Sequence, residues 1–304
     1  MENPLRSTPF GVMLTAMITP FNADGSLDLD GAQELATHLV DTLKHDGLVV
    51  NGTTGESSTK TDAEDLALLS AVLESVGDRA TVVAGVGTND TAHSIQSAKA
   101  ASAAGAHALM ASSPYYNRPP QAGIIEHFRA IADSTDLPLM TYDIPRRTGV
   151  AIETETLVRL AEHPRIIANK DAKGDLEASQ WVMARTDLAW YSGEDSLNLS
   201  LLALGASGMV SVVGHLVGDR LHDMADAFWA GDITTAHQLN QGMLPVYTGI
   251  FRSQGVILTK AALNMQGLPA GPVRLPLVNA TPEERQQLQA DLVAGGVSVS
   301  HDAP

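Results

Sequence analysis

The sequence contains no cysteine, which excludes a disulfide scaffold, thiolate catalysis, iron–sulfur clusters and cysteine-ligated zinc. Positive charge is scarce: 19 Lys and Arg stand against 35 Asp and Glu, a formal net charge of −16. Such a chain lacks the basic stripe that neutralises phosphates, so no nucleic-acid partner is expected. No apolar run approaches the ~18–20 residues of a membrane span, so no membrane partner is expected either. The opening Met1-Glu2-Asn3-Pro4-Leu5-Arg6 has no cationic stretch followed by an apolar one; no export signal is expected, and the expected location is the cytoplasm. The 10 histidines are scattered, with no H-E-x-x-H and no acidic cluster at ligand spacing, so no metal site is expected. Asn22-Ala23-Asp24-Gly25-Ser26 lacks the closing glutamate of a calcium loop and reads as a turn.

What remains is a chain of 304 residues, 44% hydrophobic and 18% charged, long enough to bury a substantial core. Short apolar runs at 12–18, 47–50, 81–84, 107–111, 137–142, 166–170, 188–191 and 208–212 read as strands. Segments with helical spacing at 30–43, 62–76, 91–104, 123–134 and 154–162 lie between them. Thr61-Asp62-Ala63-Glu64 sets a capping hydroxyl three residues before a carboxylate and marks a helix start. This alternation predicts an α/β fold, a (β/α)8 TIM barrel. A doubly wound sheet would carry G-x-G-x-x-G after its first strand; Gly85-Val86-Gly87-Thr88-Asn89-Asp90 follows the third strand and lacks the third glycine. After Gly214, segments 219–229, 234–247, 254–265 and 282–292 read as consecutive helices, an all-helical C-terminal extension. The expected division is a barrel at 1–224 and a helical region at 225–304, with a polar tail from 295 that frays.

Functional groups of a barrel sit at the C-terminal ends of its strands. Lys170 ends the sixth strand, after Ile166-Ile167-Ala168. An ammonium that loses hydration there drops from ~10.4 towards ~7–8 and becomes a nucleophile able to form a Schiff base. The competing reading is a lysine that snorkels to water or pairs with Asp171 or Asp175. Gly52-Thr53-Thr54-Gly55-Glu56 offers hydroxyls and amides that can hold a carboxylate; it also suits a plain glycine-rich turn. Tyr142 ends strand five and Tyr115-Tyr116 follow strand four, placing phenols for proton transfer or simply for packing at a barrel mouth. Arg147 offers a fork for a substrate carboxylate, or for a surface ion pair.

Four ordered blocks carry a wider resemblance: Gly52-Thr53-Thr54-Gly55-Glu56, Pro114-Tyr115-Tyr116-Asn117-Arg118-Pro119, Tyr142-Asp143-Ile144-Pro145-Arg146-Arg147-Thr148-Gly149 and Lys170-Asp171-Ala172-Lys173-Gly174-Asp175. Together they resemble the dihydrodipicolinate synthase / N-acetylneuraminate lyase family of pyruvate-dependent aldolases, from Ala16-Met17-Ile18-Thr19-Pro20-Phe21 to the helical C-terminal region. The Thr53-Thr54 pair and Arg147 match the synthase branch; the lyases tend to have Ser-Thr at the former position. The resemblance implies that Lys170 condenses with pyruvate, with no cofactor beyond that covalent Schiff base. Thr54 and the backbone near Gly193 and Val210 would hold the pyruvate carboxylate. Arg147 would hold L-aspartate-4-semialdehyde, and the product would be 4-hydroxy-tetrahydrodipicolinate, on the route to diaminopimelate and lysine. Thr53, Tyr142 and Tyr116 would relay protons, with Tyr116 reaching in from a neighbouring subunit, which implies at least a dimer and, in this family, usually a homotetramer. Two positions depart from the pattern: Asn169 replaces the usual Val or Ile, and Arg146 is bulkier than the residue common there. Alternatives are a pyruvate-dependent aldolase or lyase acting on a keto sugar acid, and a catalytically silent barrel that binds small acids.

Overall fold

The computed structural model describes residues 7–299. The opening hexapeptide, on which the absence of an export signal rests, and the last residues of the expected fraying tail lie outside them. The strands are β1 (Met13–Ala16), β2 (Gly47–Val50), β3 (Thr81–Gly85), β4 (Ala108–Ser112), β5 (Leu139–Asp143), β6 (Ile166–Asp171), β7 (Ala189–Ser192) and β8 (Gly208–Ser211). They form a closed barrel in sequence order, every neighbour parallel and β8 paired back to β1. The helices are α1 (Leu29–Thr37), α2 (Asp62–Val76), α3 (Thr91–Ala103), α4 (Gln121–Asp133), the single turn α5 (Pro145–Thr148), α6 (Thr154–Leu160), α7 (Leu176–Met183), α8 (Asn198–Ala203), α9 (Gly214–Trp229), α10 (Ile233–Ile250), α11 (Gly255–Met265) and α12 (Pro282–Ala294).

Both faces of the strands are buried, which is why they read as continuous apolar runs. Side chains such as Leu14, Val49, Val83, Met110, Met140 and Val210 fill the barrel interior. A larger cluster, including Leu48, Val82, Leu109 and Leu139, packs the outer strand faces against the helices. Phe10, ahead of β1, meets the Tyr191 ring at 5.9 Å between centroids, and the Tyr191 hydroxyl accepts the Phe10 N–H and donates to the Gly11 carbonyl. Thr61 and Glu64 close a reciprocal capping box on α2, whose first turn carries Asp62, Glu64 and Asp65 where the helix dipole favours negative charge.

One irregularity positions the site. Leu139 pairs with Ile166, but Met140 pairs with Ala168, so Ile167 is an extra residue, a bulge in β6. Ile167 and Ala168 both pack on the interior cluster. A one-residue shift exchanges the two faces of a strand, and here it sets Tyr142 opposite Lys170. Without it Tyr142 would face Asn169.

Beyond β8 the chain is helical, as expected. The division expected between 224 and 225 falls inside α9, which runs unbroken past it, with one non-helical residue at Val217. The stretch expected to fray is tied down as far as Val299 is described: Arg220 donates to the Gly295 carbonyl at 2.6 Å, Gln266 donates to the Ser298 carbonyl, and Val297 is buried. Among the described residues no helix is long and apolar enough to cross a membrane.

Candidate active site

Lys170 is 4% exposed, and its Nζ lies 4.2 Å from the centre of the Tyr142 ring. It makes no ion pair and no hydrogen bond with any described residue, so neither sequence alternative describes it. Asp171 accepts from Ser179 Oγ and the Lys173 N–H, and Asp175 caps α7 by accepting the Ala178 N–H. Burial lowers the Lys170 pKa to about 8; Arg147 pushes in the same direction, while Asp195 opposes both. An amine with that pKa is partly neutral near pH 7 and nucleophilic.

The place for this lysine is made by a glycine. A Cβ on Gly193 would lie 3.0 Å from both Cγ and Cε of Lys170. The Gly193 N–H donates to the Asp171 carbonyl at 2.7 Å. That N–H is committed within the backbone, and the missing side chain leaves room for the lysine stem. Asp195 lies just past the seventh strand and had no role assigned from the sequence. It is buried and accepts from Ser211 Oγ and from the Val212 and Val213 N–H groups at 3.0 and 3.1 Å, which fixes the turn after β8 beside Val210. Its only sequence signal was a carboxylate just past a strand end.

A cavity of about 500 Å³ opens on the Tyr142 side, lined by Thr53, Tyr115, Tyr142, Ile144 and Arg147 among others; Lys170 is not among its lining residues. Burial raises the Tyr142 pKa to about 12, countered by Arg147 and by a hydrogen bond with Thr53. Arg147 makes no ion pair with any described residue. Its neighbour Arg146 instead bonds Glu194, tying the loop after β5 to the loop after β7. Thr54 and Val210 are buried, the latter in the same interior cluster as Tyr142. Tyr116 is not brought to this group: it is 89% exposed, with φ +68°.

Residues 9–294 match the Dihydrodipicolinate synthetase family. The chain belongs to that family. Over 292 residues it is 64% identical to 4-hydroxy-tetrahydrodipicolinate synthase 2 of Streptomyces coelicolor, covering 96% of this chain and 97% of that one. It is 61% identical to the 4-hydroxy-tetrahydrodipicolinate synthase of Acidothermus cellulolyticus, covering 97% and 96%. The dihydrodipicolinate synthase of Cyanidioschyzon merolae, solved with lysine bound, superposes with a TM-score of 0.93 at 40% identity, covering 95% of this chain and 99% of that one. A Bacillus anthracis dihydrodipicolinate synthase gives 0.91 at 43%, covering 93% and 98%. The barrel of this chain is thus the fold of its family.

Proposed function

We propose that this protein condenses pyruvate with L-aspartate-4-semialdehyde to give 4-hydroxy-tetrahydrodipicolinate, a lyase-type step of lysine and diaminopimelate biosynthesis. The observation that carries the residue-level reading is the uncommitted, partly neutral Lys170 against Tyr142. The Lys170 amine attacks the pyruvate ketone and expels water to form an imine. Loss of a methyl proton gives the enamine, which adds to the aldehyde carbon, and the new alkoxide takes a proton. The amino group of the former semialdehyde then attacks the imine carbon, closing the ring and releasing Lys170, so one water leaves per turnover.

Tyr142 and Thr53, which line the same cavity, carry protons on and off these atoms. Thr54 in the 52–56 loop receives the pyruvate carboxylate, near Val210 and the cleared space at Gly193. Arg147, free of acidic partners, receives the carboxylate of the semialdehyde. Tyr116, exposed and in a left-handed conformation, serves the site of a neighbouring copy, so the working unit is at least a dimer and by family habit a homotetramer. All covalent work is assigned to Lys170, with no added cofactor, and the enzyme acts in the cytoplasm.

Borohydride added with pyruvate reduces a Schiff base to a stable secondary amine. Peptide mapping should place that adduct on Lys170; an adduct on Lys60 or Lys173 overturns the assignment. A panel of aldehydes with pyruvate, aspartate semialdehyde among them, separates this reaction from a keto sugar acid aldolase, and a silent barrel traps nothing.

A further inference from the structure

The loop at 52–55 is bounded by two residues whose side chains make its conformation unfavourable: Asn51 has φ +60° and Glu56 has φ +53°. The left-handed region brings Cβ against the following carbonyl, so these residues stay there only under external restraint. Each is held by a lysine withdrawn from solvent. Lys60 Nζ donates to Asn51 Oδ1 at 2.5 Å and lies 2.9 Å from Asp65, while Asn51 Nδ2 donates to the Asp65 carbonyl. At the other end Lys260, from α11, sits 2.7 Å from Glu56 Oε1 with both side chains 2% exposed. Its remaining contacts are the Pro272 carbonyl at 2.7 Å and the face of Phe21 at 4.1 Å. The second Glu56 oxygen accepts the Arg274 N–H at 2.9 Å.

We propose that Lys60 and Lys260 are positioning residues that act through Asn51 and Glu56 to hold the 52–55 loop, and with it Thr54, where it receives the pyruvate carboxylate, an inference that rests on the role given to that loop above. Lys260 comes from the helical extension, so this contact also gives the extension a part in the chemistry of the barrel. Removing its ammonium leaves the Glu56 carboxylate buried without its cation, which drives that residue towards water and out of its left-handed conformation. The loop then loses its shape while Lys170, on another strand, keeps its own surroundings.

The test uses the full chain. In Lys260→Met the KM for pyruvate should rise by about tenfold or more, while the KM for the semialdehyde stays within about twofold, because Arg147 is on a separate loop. The pH midpoint of borohydride trapping at saturating pyruvate should not move. Lys260→Met combined with Glu56→Gly should recover most of the pyruvate affinity, since glycine accepts the positive φ and carries no stranded carboxylate. A purely structural role would disturb both substrates alike and gain nothing from the glycine. An unchanged pyruvate KM in folded Lys260→Met, or a double variant no better than the single one, overturns the proposal. If Lys260→Met does not fold, Lys60→Met with Asn51→Gly as its rescue decides the question by the same criteria. Wild-type trapping on Lys170 is measured first: its absence defeats the functional reading itself, whereas its presence with unaffected variants defeats only the positioning role.

Discussion

Strands β5 and β6 present two faces that differ in one respect above all. On the inner face Lys170 has no hydrogen-bond partner among the described residues, and its Nζ lies against the Tyr142 ring. On the outer face every polar side chain has at least one partner. Thr141 donates to Asn169 Oδ1 at 2.8 Å; Asp143 accepts the Ile152 N–H at 3.0 Å and lies 3.5 Å from Lys173 Nζ; Asp171 accepts from Ser179 Oγ at 2.5 Å. The faces are made of successive residues of the same strands, equally removed from water. Burial is therefore common to both, and commitment is what separates them. A buried polar group with partners is a fastening; one without is held at a raised free energy that a substrate relieves.

The largest effect should come from the inner face. Lys170→Arg keeps a cation but supplies no neutral amine, so trapping should vanish and turnover fall to background, with circular dichroism and melting temperature close to wild type. Residual adduct on another lysine would show that reactivity does not follow from the absence of partners. Arg147→Ala comes next. Losing a charge-assisted carboxylate contact is worth ~1.5–3 kcal/mol, roughly ten- to hundredfold in kcat/KM for the semialdehyde, with pyruvate trapping largely retained. Equal losses in both steps would make Arg147 structural.

A smaller effect is read from pH. Because burial lowers the Lys170 pKa to about 8, its neutral form declines as pH falls below that value. Trapping at saturating pyruvate should therefore drop roughly tenfold per unit between pH 7 and 6 and level off above the midpoint. The Arg147 charge pushes the same way as burial, so in Arg147→Ala the rising limb should move to higher pH. A limb that stays fixed, or one centred near the ordinary lysine value, would show that the inner face is wetter than its burial implies.

Much of this was legible in the sequence. Strand 47–50 and helix 62–76 were read with the bounds that β2 and α2 have, because glycine and an aspartate following threonine punctuate them. Lys170, Tyr142, Thr53 and Arg147 stand out as chemically distinctive residues at or beyond strand ends, but position left each with a plain structural alternative, and the family resemblance is what gave them roles. The bulge at Ile167 does not stand out. A strand buried on both faces shows no alternation, so a change of phase within Ile166-Ile167-Ala168 leaves no trace in polarity. The meaning of Gly193 depends on where Lys170 lies, and the contact of Glu56 with Arg274 spans 218 positions. Arg146, bulkier than the residue common there, bonds Glu194, likewise a contact between distant loops.

The smallest expected effect belongs to the outer face, at Asn169. Its side chain is fully buried, its Oδ1 accepts from Thr141, and its Nδ2 has no partner. Asn169→Val removes one hydrogen bond with a net worth of ~0.5–1.5 kcal/mol and also one orphaned donor whose burial costs ~1–3 kcal/mol. Thr141 Oγ1 keeps the Ala168 carbonyl at 3.3 Å as an acceptor. The two changes oppose each other, so stability should stay constant or rise by about 1 kcal/mol, measured by denaturant midpoint, and trapping on Lys170 should keep both its rate and its pH midpoint. Thr141→Val is the sharper partner experiment. It strands the Asn169 amide completely and should lower stability by ~1–3 kcal/mol, again with the chemistry intact. If instead either variant slowed trapping severalfold while remaining folded, the outer hydrogen bond would be holding the register that puts Lys170 opposite Tyr142, and the two faces would act as one device.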